Sequence, residues 1–174
     1  MSVNRSAPIA VRPAAPGDLD LLVQFNAAMA EETEGKRLDP ERLRRGVARV
    51  LADPACGFYR VAEVGGAVAG GLLVTFEWSD WRAGWWWWLQ SVYVRPGARG
   101  RGVFSALLAA VEAEARPRPD VVGLRLYVER RNHRAQAVYA ARGFVDAGYR
   151  VYERVPAGDS AGPDPAPGSG TSAE

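Results

Sequence analysis

The segment Val92-Tyr93-Val94-Arg95-Pro96-Gly97-Ala98-Arg99-Gly100-Arg101-Gly102-Val103-Phe104 constrains this chain more than any other. An apolar run enters a Gly- and Arg-rich loop, and Val103, Phe104, Leu107, Leu108 and Val111 then recur at helical spacing. A strand, a tight loop and a helix in that order aim the first-turn N–H groups and the positive end of the helix dipole at one spot. Such a spot suits an anion, most often a phosphate. Glycine lets the backbone approach the phosphate oxygens where a Cβ would intervene, and Arg99 and Arg101 add positive charge.

Around this loop the hydrophobic period switches repeatedly between that of strands and that of helices. Ile9 to Arg12 reads as a strand, and Leu21, Leu22, Phe25, Ala28 and Met29 as one helix face behind Asp18, a candidate cap. Asp39-Pro40 opens a second helix, with Leu43, Val47, Val50 and Leu51 as its stripe and Asp53-Pro54 as its end. Phe58 to Val64 and Ala67 to Trp78 are strands joined at Gly65-Gly66, a dipeptide suited to a tight hairpin. Trp85 to Val94 and Val121 to Val128 are further strands, Asn132 to Arg142 is a helix capped by Gly143, and Phe144 to Val155 supplies a last strand or two. The order predicts an α/β (α+β) fold, a single mixed sheet with helices packed on it, over residues 1–155 as one domain. Residues 156–174 use only Pro, Ala, Gly, Asp, Ser, Thr and Glu and are expected to be a disordered tail.

Composition removes several classes of function. The chain has 174 residues, 48% of them hydrophobic, enough to bury roughly 70% of the surface its unfolded form exposes without disulfides or a structural metal. One cysteine, Cys56, and one histidine, His133, cannot build a disulfide, a zinc finger or a Cys/His metal centre, so no metal is expected. No GxSxG elbow is present. The N-terminal stretch lacks the apolar core of a signal peptide, and no run reaches the roughly 18 apolar residues that a bilayer requires, so a cytoplasmic protein without a membrane partner is expected. A net charge of +2 and dispersed arginines such as Arg130, Arg131 and Arg134 argue against a nucleic-acid partner.

Three phosphate-binding readings fit the loop to different degrees. A P-loop needs a Gly-Lys-Ser/Thr ending that is missing here. A dinucleotide fingerprint is approached by Gly100, Gly102 and Ser105, but Asp120 precedes the next strand instead of ending it. In the third, Arg99-x-x-Gly102-x-Phe104, after Leu-Gln-Ser-Val-Tyr-Val-Arg-Pro, resembles the coenzyme A pyrophosphate loop of the GNAT acyltransferase superfamily, Gln/Arg-x-x-Gly-x-Gly/Ala. Phe104 departs from it, which predicts a displaced helix start or a side chain turned into the core. Asn132-x-x-Ala135-x-x-x-Tyr139-x-x-x-Gly143-Phe144 resembles the second coenzyme A motif of the same superfamily. The resemblance covers roughly Ile9 to Val155, and Glu77 to Arg82 with Gln90 to Val94 are similar to uncharacterised acetyltransferases of that group.

The resemblance implies a mostly antiparallel sheet of six to seven strands, splayed at its centre and flanked by about four helices, with acetyl-CoA as cofactor. It implies that main-chain groups of Val92, Tyr93 and Val94 hold the pantetheine arm, and that Arg99, Gly100, Arg101, Gly102, Val103, Phe104 and Ser105 surround the pyrophosphate. Asn132 would bond the arm, with Ala135 in the same motif, although an Asn there can equally cap a helix. Tyr139 would be the general acid that protonates the departing thiolate; the alternative is a core tyrosine. The implied reaction is acetyl transfer to a primary amine, with a small-molecule acceptor favoured over a protein N-terminus or lysine. A non-catalytic acyl-CoA sensor is the alternative of another class. Homodimers are common in the superfamily, which leaves a homodimer open.

An amine nucleophile must lose a proton, directly or through water. Glu77 is the preferred base; Glu31, Glu32, Trp78, Asp80 and Gln90 are candidates for the acceptor pocket, where carboxylates and tryptophans suit a cationic or aromatic amine. Trp85, Trp86, Trp87 and Trp88 alternate across a strand, two to each face.

Overall fold

Asp39 and Pro40 start a helix as their chemistry predicts. The structure is a computed structural model that describes residues 8–154; in it Asp39 Oδ1 accepts from Arg42 N at 2.6 Å and Pro40 takes the first helical position. This helix, α2 (Pro40–Ala52), follows strand β1 (Ile9–Pro13) and helix α1 (Leu19–Glu34). Strands β2 (Phe58–Val64) and β3 (Ala67–Ser79) turn at Gly65-Gly66, where φ of 61° and 81° requires glycine. Strand β4 (Gly84–Val94), helix α3 (Val103–Ala115), strand β5 (Val121–Leu126) and helix α4 (His133–Ala140) complete the order. The chain divides into two compact units, Met1–Tyr127 with the sheet and α1 to α3, and Val128–Glu174 with α4.

The sheet runs β1-β2-β3-β4-β5, antiparallel except for the parallel pair of β4 and β5. Five strands stand among the described residues in place of the six to seven expected. Phe144 to Arg154 forms none of them: Gly148 sits at φ 74°, its N–H donates to Asp146 Oδ1 at 2.8 Å, and Val145, Tyr149, Val151 and Tyr152 remain exposed. Apolar alternation needs a neighbouring ladder to become a strand, and a local turn competes with it here. The last strand of the sheet also ends at Leu126, two residues short of Val128. The expected tail, residues 156–174, lies outside the described residues.

Paired residues on adjacent antiparallel strands share a face, so the register assigns the side chains. One face carries Leu73, packed in a cluster with Leu22 of α1, Val47 of α2, Tyr59 and Val61. Leu73 pairs with Gln90, Thr75 with Trp88 and Glu77 with Trp86, so all six side chains lie on the face that α1 and α2 cover. The opposite face carries Val74 with Leu89, Phe76 with Trp87 and Trp78 with Trp85, and α3 packs there through Val103, Leu107, Leu108 and Val111.

Asp18 precedes α1 but makes no side-chain cap. Its buried carboxylate accepts from Arg12 at 2.7 and 3.0 Å and from Ala15 N at 2.7 Å, and the Arg12 guanidinium holds its pKa below the usual carboxylate value. Asp18→Ala removes these charge-assisted bonds and is expected to cost about 2 kcal/mol at neutral pH. Because the folded pKa is depressed, that contribution is complete above about pH 4 and disappears as pH falls through the folded value. Urea unfolding at pH 7 and pH 3 checks this: the gap between wild type and variant should shrink at the lower pH.

Candidate active site

The β4–α3 connection has the form expected of an anion cradle. Pro96–Ala98 makes one 3-10 turn, Arg95 N donates to Ala69 O at 2.9 Å, and α3 begins at Val103 directly after Gly102. Gly100 and Gly102 have φ of 73° and 86°, so both need the left-handed region that side chains resist. A Cβ on Gly100 would meet nothing within 4 Å, and one on Gly102 would meet only Ile9 Cδ1 at 3.9 Å. The glycines therefore do not serve internal packing; they shape the backbone and keep the space before the helix open. The first turn of α3 carries no acidic side chain, so the positive end of its dipole is not offset locally. Val103 turns into the core, whereas Phe104 is half-buried. Of the two expectations for Phe104, a displaced helix start or a side chain turned into the core, the structure gives a helix that begins at Val103 and a ring that is half-buried.

β4 and β5 part company beside this loop. Their ladder runs from Trp85–Val121 to Leu89–Leu126 and stops, while β4 continues to Val94. Among the described residues, Gln90 to Val94 thus presents main-chain groups on that side with no ladder partner. Within the same stretch β4 bulges: Gln90 pairs with Leu73 and Tyr93 with Gly71, leaving Ser91 and Val92 opposite Leu72. Ser91 sits at φ 49°, an uncommon conformation for a residue other than glycine. The bulge re-aims the peptide groups around Val92. Two polar residues in succession, Gln90-Ser91, interrupt the alternation and are the sequence signal for it.

The face under α1 and α2 gathers part of the expected acceptor set. Glu77 Oε2 accepts from Trp88 Nε1 at 2.6 Å, and Glu77 Oε1 accepts from Arg125 at 2.9 Å. The Arg125 guanidinium lies 4.1 Å from the Trp86 ring centre, and Trp88 stacks on Tyr127 at 4.4 Å. Gln90 Nε2 donates to Thr75 Oγ1 at 2.6 Å. Glu77, Gln90, Trp86 and Trp88 therefore share one surface. Arg125, Thr75 and Tyr127 were not singled out from sequence; an arginine within the apolar run Val121 to Leu126 was the available sign that a buried-side partner awaited it.

Other candidates lie elsewhere. Trp78 is on the α3 face in an edge contact with Trp85 at 5.0 Å, away from Glu77 and Gln90. Asp80 is exposed in the β3–β4 turn and accepts from Trp81 N, beside Trp81 at 92% exposure. Glu31 is exposed on α1, while Glu32 is engaged with the loop through Arg99 at 2.5 Å and Tyr93 at 2.9 Å. Arg101 is exposed.

The second unit holds the other motif on α4. Asn132 Oδ1 accepts from Ala135 N at 3.0 Å, so its carbonyl is the helix cap and its amide N–H2 group remains a donor. Gly143 at φ 84° ends the helix, with Phe144 N donating to Tyr139 O at 3.1 Å. The Tyr139 ring meets Phe144 edge-on at 6.0 Å, and burial raises its phenol pKa above the ordinary 10.0. Tyr139 is thus held protonated at neutral pH.

Among the described residues no cluster of His, Cys, Asp and Glu could hold a metal, and no helix is long and apolar enough to cross a membrane. A search of curated proteins found no match. Solved structures are similar over most of the chain. A protein from Clostridium difficile 630 described as a possible acetyltransferase is 39% identical, with 85% of this chain and 97% of that one covered at a TM-score of 0.79. A GCN5-related N-acetyltransferase from Ralstonia eutropha JMP134 is 25% identical over 84% and 99%, with a TM-score of 0.68. A predicted acetyltransferase from Clostridium acetobutylicum, solved with acetyl-CoA, shares the fold at 20% identity, 84% and 96% coverage and a TM-score of 0.69. The model of the acetyltransferase (GNAT) family matches residues 22–144, which takes in the loop, the parted strands and α4, and the chain belongs to that family.

Proposed function

We propose that this protein transfers an acetyl group from acetyl-CoA to a primary amine of a small molecule, by direct attack in a ternary complex. The observation that carries the proposal is the parting of β4 from β5 beside a glycine-shaped helix start: an extended arm fits along Gln90 to Val94 while its phosphates meet the first turn of α3. The Clostridium acetobutylicum neighbour, solved with acetyl-CoA, supports the choice of ligand. Acetyl-CoA, when bound, supplies a thioester carbonyl open to attack and a thiolate as leaving group.

The residues then divide the work. Main-chain groups of Val92, Tyr93 and Val94 hold the arm, and a main-chain N–H near Val92, aimed by the bulge at Ser91, polarises the carbonyl. Gly100, Arg101, Gly102, Val103, Phe104 and Ser105 surround the diphosphate. In the second unit, the amide of Asn132 donates to the arm, Ala135 gives it room, and Tyr139 donates a proton to the leaving sulfur. Glu77 takes the proton of the amine through water; each of its oxygens already accepts one bond and retains a lone pair for another.

The same contacts narrow the acceptor. Of the four carboxylates that suit a cationic substrate, Glu32 is balanced by Arg99 and Glu77 by Arg125. Trp86, Trp88 and Gln90 share that face with Arg125 over the Trp86 ring and Tyr127 stacked on Trp88, so the acceptor meets aromatic edges and an already balanced cation. This favours a flat amine of low charge over a polycation.

A thermal-shift comparison tests the reading. Acetyl-CoA at about 100 times its Kd is expected to stabilise the fold by about 2.7 kcal/mol, roughly 5–10 °C, with NAD and ATP giving no such shift. Thiol release across a panel of amines and short peptides then separates an enzyme from a non-catalytic sensor. Stabilisation by another nucleotide alone would remove the proposal.

A further inference from the structure

Arg99 was expected among the groups that surround the diphosphate, yet its guanidinium is held elsewhere. Its Nε donates to Val94 O at 2.8 Å, folding the side chain back onto the end of its own strand. Its terminal nitrogen donates to Glu32 Oε2 on α1 at 2.5 Å, and Tyr93 Oη donates to the other oxygen of Glu32 at 2.9 Å. The guanidinium lies 5.5 Å from the Tyr93 ring centre, and Tyr93 itself packs on Phe25 of α1 at 5.1 Å. Val94, Arg99, Glu32 and Tyr93 form a closed ring of contacts that ties α1 to both ends of the loop's first half.

Two consequences follow from charge. Paired with a carboxylate, Arg99 adds little net positive potential to the space before α3. Arg101, two residues on, is exposed beside Gly102, and the first turn of α3 carries no acidic side chain to offset it. We propose that Glu32 is a positioning residue for the cofactor loop: with Tyr93 it anchors Arg99 to the end of β4, Arg99 shapes the loop, and Arg101 supplies the charge that meets the diphosphate. The proposal rests on the acetyl-CoA reading above. It removes Glu32 from the acceptor pocket and gives it to the donor side. An exposed ion pair contributes little to overall stability, so the effect of Glu32 falls on the loop's geometry and not on the fold.

The test is calorimetric titration of acetyl-CoA at several sodium chloride concentrations into wild type, Glu32→Gln, Arg99→Gln, the double variant and Arg101→Gln. Glu32→Gln and Arg99→Gln should each weaken binding about tenfold, the loss carried by one charge-assisted hydrogen bond, and the double variant should be no weaker than either alone. The double variant, which keeps the net charge of the pair, should have a Kd that rises with salt as steeply as that of wild type, while Arg101→Gln should flatten the dependence. Tighter binding by Glu32→Gln would overturn the proposal, since the carboxylate would then be a competitor holding Arg99 away from phosphate. A flattened salt dependence in the double variant would overturn it too, by making Arg99 a direct ligand. Failure of wild type to bind acetyl-CoA would instead remove the reading on which the proposal rests.

Discussion

Gly102→Val is expected to weaken acetyl-CoA binding by about 10²-fold or more, roughly 3 kcal/mol, in a protein that still folds. Two effects act at this position. The backbone at φ 86° is one that a β-branched residue resists, which costs the free protein about 1–2 kcal/mol and lowers its melting temperature by a few degrees. Among the described residues, a Cβ at this position meets Ile9 Cδ1 at 3.9 Å, an ordinary van der Waals contact, so the first carbon of the new side chain clashes with nothing. It fills the space before the helix start, which is where the diphosphate is proposed to sit. Gly97→Ala is the comparator: it lies in the same loop, has no positive φ and would meet nothing within 4 Å, so it should change neither melting temperature nor binding. Titration of acetyl-CoA into both variants checks the pair. A folded Gly102→Val protein with wild-type affinity would falsify the placement of the diphosphate at this loop.

What could be read in advance was local chemistry. Asp39-Pro40, Gly65-Gly66 and the run from Arg99 to Val103 each specify a backbone conformation through residues next to one another, and each adopts it. What depended on cross-strand register could not be read. The four tryptophans were expected to alternate, and they do, but only the register with Glu77 and Trp78 assigns Trp86 and Trp88 to the α1–α2 face and Trp85 and Trp87 to the α3 face. One residue of slip would exchange them. Glu32 lies 67 positions before Arg99, and Glu77 lies 48 before Arg125; nothing in a single chain of letters brings such pairs together. Phe144 to Arg154, the described part of the last expected strand, forms none for the related reason that strand preference reports fit to a neighbour rather than a property of the segment.

Tyr139→Phe is expected to lower turnover by about 10²-fold while leaving acetyl-CoA affinity nearly unchanged. The substitution deletes one hydroxyl and retains the ring that packs on Phe144 at 6.0 Å. A thiolate departing from a thioester needs a proton, and a phenol can give one only while protonated. Burial raises the Tyr139 pKa above 10.0, so the phenol is fully protonated through the neutral range, and the activity it supports is lost only as pH rises past the ordinary tyrosine value. The wild-type kcat profile should therefore carry an alkaline fall that begins above about pH 10, and the variant should lack it. Full turnover in Tyr139→Phe would return this residue to the role of a packed core tyrosine. Lost turnover with the alkaline fall intact would assign that fall to another group and leave Tyr139 as a positioning residue, so the pH profile, and not the rate alone, decides whether the phenol is the acid.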